Sequence, residues 1–165
     1  MFERIVLGVD PGMASTGLAT VGGGRRGSTV IRAETVRTPA GAPEALRLRS
    51  LADAVRTALA EHRPEALAIE RLMWGRNTGS AMAVARASGV ILLAAAESDV
   101  PVYEYAPLEV KMAVTGDGRA GKPQVRRSLE RIHRVDGVPR QPDAADAVAV
   151  AVCHLHQARL AGAIG

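Results

Sequence analysis

Short apolar runs separated by glycine, proline and charged residues predict five β-strands. The first run ends at Asp10-Pro11-Gly12, because proline and glycine interrupt regular structure. The next two runs lie on either side of the sequence GGGRRGS, which is typical of a hairpin turn, so we expect the first three strands to be antiparallel neighbours. The predicted strands are residues 4–9, 15–22, 28–36, 65–70 and 100–106.

The segments between and after these strands carry helical patterns. In residues 43–62, apolar residues recur at helical spacing among charged ones, at Leu46, Leu51, Val55 and Leu59. The alternation AVAVAV within residues 143–160 would also suit a strand, but the alanine content and length favour a helix capped by Asp143. The other predicted helices are residues 80–98, 107–114 and 123–133. The order βββαβαβα, with additions and without internal repeats, predicts an α/β fold.

Four acidic residues stand beside these core-forming segments. Asp10 and Glu70 end the first and fourth predicted strands, while Asp143 and Asp146 share one face of the last helix. If the two strands are parallel neighbours, both acids lie at the carboxyl edge of the sheet, where α/β proteins bind ligands. Packing of the last helix against that edge would bring all four carboxyl groups together.

Four neighbouring carboxylates repel one another and are costly to desolvate unless a cation compensates them. All-oxygen ligands of this kind suit two Mg²⁺ or Mn²⁺ ions about 4 Å apart, an arrangement that hydrolyses phosphodiesters. Zinc is disfavoured because His154 and His156, two residues apart, face different sides of a helix. The sequence also contains neither a nucleophile elbow nor a Walker phosphate loop.

Composition limits the class of protein without identifying a partner. The 165 residues contain no long structureless stretch, which predicts one domain spanning residues 1–165. Hydrophobic residues make up 47% of the chain and aromatic residues only 2%, so the core is expected to consist of Ala, Val, Leu and Ile. The net charge of +4 is compatible with a polyanionic partner. The single cysteine, Cys153, is predicted to fill the core and suits a reducing compartment.

The apolar segments predict a soluble, cytoplasmic protein without membrane contact. The N-terminal sequence MFERIVLGVDPG lacks the pattern of a signal peptide. Residues 81–96 contain Arg86 and are too short for a membrane span. This segment is nevertheless more apolar than a one-sided surface helix requires, so it is either buried in the monomer or forms a subunit contact.

Five segments, in the same order and with matching spacing, resemble the RuvC-type Holliday junction resolvases. They are GVDPGMASTG (8–17), AIERL with RNTGSA (68–81), YEYAPLEVK (103–111), GKPQV (121–125) and DAADAVAVAVCHLH (143–156). The resemblance implies a ribonuclease H-like fold, with a five-stranded mixed sheet flanked by helices. It also implies a homodimer that makes paired, metal-dependent nicks in four-way junction DNA, together with a RuvA/RuvB-type branch-migration complex. Homologous recombination and DNA repair are the processes in which such an enzyme acts.

The resemblance also implies roles for individual residues. The metal-binding catalytic acids would be Asp10, Glu70, Asp143 and Asp146, with Asp10 between the two ions of each active site. Lys111 and Lys122 fall where the family carries basic residues near the scissile phosphate and the DNA backbone.

The loop after Glu70 supplies further candidates for DNA binding. The family has a base-stacking aromatic residue at the position of Met73, and the only tryptophan, Trp74, lies beside it. Arg71 and Arg76 belong to the same loop and are expected to contact DNA.

Structural explanations compete with each of these assignments. Asp10 could merely begin an Asp-Pro turn, and Asp143 could act only as a helix cap. Lys111 and Lys122 could be solvated surface charges, and Trp74 could pack on its own domain.

Three other functions compete with that of a resolvase. An ATPase of the actin and Hsp70 type needs two such domains and a second phosphate loop, for which 165 residues leave no room. A catalytically silent junction-binding protein has no reason to hold four acids near phosphates. Another ribonuclease H-like nuclease, for instance one acting on RNA/DNA hybrids, is less favoured by the two lysines and the last-helix pattern.

Overall fold

A computed structural model of the chain describes residues 2–73 and 78–164. Its strands are β1 (Arg4–Asp10), β2 (Ser15–Gly24), β3 (Gly27–Arg37), β4 (Ala66–Glu70), β5 (Val102–Tyr105) and β6 (Val135–Asp136). Its helices are α1 (Glu44–His62), α2 (Thr78–Glu97), α3 (Pro107–Thr115), α4 (Lys122–Arg131) and α5 (Pro142–Ile164). Element types and order agree with the prediction for all five expected strands and all five expected helices.

The strands form one mixed sheet in the order β5-β4-β1-β2-β3-β6. Strands β1, β2 and β3 are consecutive antiparallel neighbours, as predicted from the hairpin turn. Strand β4 pairs parallel to β1 on its other side, with Val9 opposite Ile69. The predicted parallel pairing of the first and fourth strands is therefore confirmed.

The sheet has six strands in the described residues, so the prediction of five is wrong by one short element. Val135 and Asp136 lie outside every predicted strand, yet they pair parallel to Ser28 and Thr29 at the start of β3. Two residues are too few for a hydrophobic period to show in the sequence.

Alternation along the strands divides the core into two layers. Val6 belongs to the layer between the sheet and α5, whereas Leu7 and Val9 belong to the layer between the sheet and helices α1 and α2. In β4, Ala68 faces α5, while Leu67 and Ile69 face the other layer. Because side chains in a strand alternate between faces, Asp10 and Glu70 are directed to the side that α5 covers.

Two glycines let the backbone of α5 lie directly on the sheet. A β-carbon at Gly8 would overlap the backbone carbonyl of Ala147 and would lie 2.9 Å from the β-carbon of Ala151. A β-carbon at Gly17, on the neighbouring strand β2, would overlap the backbone carbonyl of Asp143. Because these obstacles are backbone atoms, no rotation of a side chain would remove them, and α5 can approach this closely only above glycine.

Two details of the predicted helices are wrong. Leu46 belongs to the apolar stripe predicted for the first helix but is 45% exposed, and the buried residues of α1 begin only at Leu51. Helix α5 begins at Pro142, so Asp143 lies inside its first turn and is not its cap. Proline suits a first helical position because the missing N–H would have had no partner there. Cys153 is buried, as predicted.

Helix α2 is apolar over most of its surface. Among the described residues, the segment Gly79–Glu97 alone is long and apolar enough to cross a membrane by length and composition, and 28% of it is buried. Its inner face packs in the core through Ala87, Ile91, Ala94 and Ala95. The Arg86 guanidinium pairs with Glu44 of α1 at 2.6 Å. The inner face therefore belongs to the core, whereas Met82 and Leu93 are each 54% exposed.

Candidate active site

The fold places two carboxyl groups at neighbouring strand ends. Asp10 is the last residue of β1 and Glu70 the last residue of β4, and these strands are adjacent and parallel. Both residues are partly buried. They lie at the carboxyl edge of the sheet, as predicted, and on the face that α5 covers.

Helix α5 brings the other two carboxyl groups to the same edge. Gly17 pairs with Asp10 in the β1–β2 ladder, and its α-carbon lies directly beneath the Asp143 backbone. Asp146 follows less than one helical turn later and is partly buried. The convergence of the four acids thus depends on a close contact between one strand glycine and the first turn of one helix.

The acids interact electrostatically. Burial, followed in order of size by the neighbouring carboxyls of Glu70, Asp146 and Asp143, raises the pKa of Asp10 to about 7, against a lowering effect of Lys122. Burial and then Asp146 also raise the pKa of Glu70, against lowering effects of Lys111 and Lys122. Asp10 thus interacts with all three of the other carboxyl groups, and Glu70 also interacts with Asp146.

Two lysines supply positive charge beside the acids. The Lys122 ammonium donates a hydrogen bond to Oδ2 of Asp146 at 2.8 Å, and this bond raises the pKa of Lys122. Lys111 lies on α3 and, together with Glu70, Lys122 and Asp146, lines a cavity of about 390 Å³. Two ammonium groups leave four carboxyl groups incompletely neutralised at this edge.

A divalent cation fits this environment. The ligand atoms on offer are carboxylate oxygens, which magnesium and manganese prefer. The elevated pKa of Asp10 indicates a buried carboxyl with too little positive charge around it, a deficit that such a cation would remove. Within the described part of the chain, no three Asp, Glu, His or Cys side chains are close enough together to form a complete ligand cluster. The four carboxyl groups therefore lie at one edge of the sheet but are farther apart than the ligands of a bound metal ion.

The predicted DNA-binding loop is described only in part. Arg71 is exposed, its guanidinium lies 3.9 Å from the Glu109 carboxylate, and its backbone N–H donates a hydrogen bond to the carbonyl of Tyr105. Met73 is 59% exposed. Trp74 and Arg76 lie outside the described residues.

The loop that follows Asp10 is held by residues that the sequence analysis did not select. Arg47 of α1 donates to the backbone carbonyl of Met13 at 3.1 Å and to the hydroxyl of Thr38 at 2.9 Å. The buried hydroxyl of Thr16, at the start of β2, donates to the loop carbonyl of Gly12 at 2.6 Å. These contacts fix the backbone immediately beyond the acid. No local signal identifies Arg47, because its partners are 34 and 9 positions away in the sequence.

A second overlooked residue, Glu109, holds the connection between β5 and α3, next to the strand that ends at Glu70. Its carboxylate accepts a hydrogen bond from the backbone N–H of Ala106 at 2.6 Å, at the start of α3. A glutamate three residues into a helix that begins with proline is a recognisable helix-start signal. That signal, in the sequence APLE, would have found it.

Comparison with known proteins identifies the family. A family model described as "Crossover junction endodeoxyribonuclease RuvC" matches residues 6–154. Proteins of that description from Mycolicibacterium vanbaalenii and Pelotomaculum thermopropionicum are similar to the chain. The first is 46% identical over 95% of this chain and 81% of the relative, and the second is 43% identical over 92% and 93%.

Solved structures give the same result. A structure of Thermus thermophilus RuvC in complex with a Holliday junction substrate has a TM-score of 0.90 and 35% identity, covering 96% of this chain and 97% of the other. The yeast mitochondrial Holliday junction resolvase Ydc2 has a TM-score of 0.69 at 13% identity, covering 95% of this chain and 80% of the other, and supports the ribonuclease H-like fold alone. The chain belongs to the RuvC family of crossover junction endodeoxyribonucleases.

Proposed function

We propose that this protein resolves four-way DNA junctions by hydrolysing one phosphodiester bond in each of two strands, during homologous recombination and DNA repair. Family membership supports the class of substrate and reaction. One observation of this chain carries the proposal. Carboxyl groups from two adjacent parallel strands and from the first turn of α5 meet at one edge of the sheet.

The metal-binding catalytic residues of this proposal are Asp10, Glu70, Asp143 and Asp146. Asp10 is the central member, because its pKa responds to all three of the other carboxyl groups. Two Mg²⁺ or Mn²⁺ ions, when bound, would supply an activated water and neutralise negative charge on the leaving oxygen. The protein contributes a rigid arrangement of ligands, since two of them end paired strands and two lie on a helix packed against those strands.

Basic residues around the acids would hold the DNA backbone. Lys111 and Lys122 line the same cavity as Glu70 and Asp146, which supports a role for both lysines near the scissile phosphate and the DNA backbone. Arg71 and Met73 are exposed next to Glu70. Arg76 and Trp74 are proposed DNA contacts from the sequence resemblance alone, with Trp74 or Met73 stacking on a base.

Two active sites are needed for paired nicks, and we assign the subunit contact to the outer face of α2. This outer face consists of the exposed residues Met82, Ala85, Gly89, Leu93 and Ala96, which recur at helical spacing. A β-carbon added at Gly89 would meet no atom of the described residues within 4 Å, so packing within this part of the monomer does not require glycine there. An apolar helix face with a small residue at its centre allows a second helix to approach closely. A two-fold dimer would match two equivalent phosphates of a junction.

The Leu93→Glu substitution tests the dimer. Leu93 is 54% exposed, so we expect a folded protein whose mass falls from about twice 17.2 kDa to the monomer value. Sedimentation equilibrium measures this mass directly. Paired nicking of a junction should fall together with dimerisation, because each monomer holds one site.

Leu160→Glu is the matched control, because Leu160 is 49% exposed on the distant helix α5. It should leave the mass of the dimer unchanged. A Leu93→Glu protein that still sediments as a dimer would assign the subunit contact to another surface.

The proposal also covers the cellular context. We expect a cytoplasmic protein that acts together with a RuvA/RuvB-type branch-migration complex. Such a complex would deliver four-way junctions to the enzyme.

A cleavage assay tests the function. Purified protein is incubated with a labelled four-way junction, a linear duplex of the same sequence, and an RNA/DNA hybrid, each with Mg²⁺, Mn²⁺ or EDTA. We expect symmetric nicks in the junction with either metal, little cutting of the other two substrates, and none in EDTA. Preferential cutting of the hybrid, or an intact junction in both metals, would contradict the proposal.

A further inference from the structure

A strongly basic cavity lies at the opposite end of α5 from the acids. Its volume is about 330 Å³. No aspartate or glutamate of the described residues lines it. The basic residues that line it are Arg25, Arg26, His133, Arg134, His156 and Arg159. We call these six residues the distal basic cluster.

Three separate parts of the chain build the distal basic cluster on defined backbone. Arg25 and Arg26 form the turn between β2 and β3. Arg134, which precedes β6, has a left-handed backbone with φ of 51°, and its carbonyl accepts a hydrogen bond from Ser28 at 3.3 Å. Arg159 of α5 donates a hydrogen bond to the backbone carbonyl of Gly24. The folded structure therefore brings these cations together, although they are distant in sequence.

The acidic residues near the distal basic cluster do not neutralise it. A neighbouring cavity shares Arg25, Arg26 and Arg134 and is also lined by Glu3 and Asp136. Glu3 pairs with Arg25 at 3.1 Å. Arg26 and Arg134 are exposed and form no ion pair within the described part of the chain. Like charges gathered in this way repel one another, and a bound polyanion would relieve the repulsion.

We propose that the distal basic cluster binds the phosphate backbone of a duplex arm of the junction, away from the strand being cut. This inference rests on the proposed function, which makes four-way junction DNA the substrate. Guanidinium groups suit the purpose because their planar array of donors matches two phosphate oxygens at once. The site would add affinity without reading sequence, since it contacts phosphates alone.

The spacing between the two sites suits a DNA arm. Asp146 and Arg159 are 13 residues apart on α5, which corresponds to about 20 Å along the helix. Phosphates of one strand follow one another at about 3.4 Å along the duplex axis, so this separation equals roughly six nucleotides. An arm that leaves the active site along α5 would reach the distal basic cluster within its first helical turn.

Salt dependence of binding tests this site. The Arg26→Ala/Arg134→Ala double variant is titrated against a labelled four-way junction in EDTA over a series of KCl concentrations. Loss of two phosphate contacts should reduce the slope of log K against log salt by about 1.8 and weaken binding about 30-fold at 0.15 M salt. The single-turnover cleavage rate at saturating protein should stay at the wild-type value, because the acids lie about 20 Å away.

The matched control is Arg49→Ala/Arg63→Ala. Arg49 is exposed on α1, and Arg63 has a left-handed backbone like that of Arg134, with φ of 45°. The Arg26→Lys/Arg134→Lys variant keeps both charges, so its slope should equal that of the wild-type protein. This variant distinguishes the loss of charge from a change in folding. Equal slopes for Arg26→Ala/Arg134→Ala and the control would overturn the proposal, even with normal junction binding and cutting. Failure of the wild-type protein to bind the junction would instead refute the proposed function.

Discussion

The Asp10→Asn protein should bind a four-way junction and fail to cut it. Asparagine has nearly the same shape as aspartate but carries no negative charge, so it would be a much weaker ligand for a hard cation. We expect the single-turnover cleavage rate to fall by at least about 10³-fold, comparable to the loss of one major electrostatic contribution to a transition state. Junction affinity in EDTA should be equal or higher, because one charge that repels phosphate has been removed.

The same substitution should stabilise the protein in the absence of metal. Burial and three neighbouring carboxyl groups raise the pKa of Asp10 to about 7, so its ionised form is unfavourable in the folded state. At pH 8 in EDTA, removing that charge should stabilise the fold by about 2 kcal/mol. For a chain of this length, the melting temperature should rise by about 5 °C. A gain in stability with a loss of activity is typical of a functional site.

The change in stability also distinguishes a catalytic role of Asp10 from the simpler role of beginning an Asp-Pro turn. Substitution of a residue that is needed for a turn would lower the melting temperature. Asp99→Asn is the matched control, because Asp99 is exposed and has a left-handed backbone that asparagine tolerates. Asp99→Asn should change neither the melting temperature nor the cleavage rate. Wild-type cleavage by Asp10→Asn would show that the catalytic site lies elsewhere.

Much of the local structure that positions the acids of the active site can be predicted from the sequence. Proline and glycine after Asp10 mark the end of β1, and alternation places Gly8 and Asp10 on one face of that strand. The three-residue spacing of Asp143 and Asp146 places both on one face of α5. These arguments need only neighbouring residues, which is why they succeeded.

Features that depend on distant residues could not be predicted in this way. The two-residue strand β6 exists only because it pairs with the start of β3. The hydrogen bond from Lys122 to Asp146 joins residues 24 positions apart, and that from Arg47 to Met13 joins residues 34 apart. Such contacts depend on how the helices pack on the sheet. The periodicity of hydrophobic residues does not indicate which distant residues this packing brings together.

Among the contacts between distant residues, the contact of Gly17 with helix α5 is expected to have the largest effect on stability and cleavage when it is disrupted. In the Gly17→Ala protein, the new β-carbon would overlap the backbone carbonyl of Asp143 and would lie 3.1 Å from the nitrogen of Ala144. The first turn of α5 would have to move away from the sheet to relieve this overlap. We expect a loss of about 2–4 kcal/mol in the free energy of unfolding, at the upper end of overpacking changes. The melting temperature should fall by roughly 5–15 °C.

Cleavage should fall more than stability alone explains. Displacement of α5 separates Asp143 and Asp146 from Asp10, so molecules that remain folded should cut a junction at least about 100-fold more slowly, since a shift of about 1 Å can cost that much. Single-turnover rates measured well below the melting temperature isolate this effect. Gly24→Ala is the matched control on the same strand, because its β-carbon would meet only the Gly27 carbonyl, at 3.8 Å. A Gly17→Ala protein that is less stable but cuts at the wild-type rate would show that the position of the first turn of α5 does not limit catalysis.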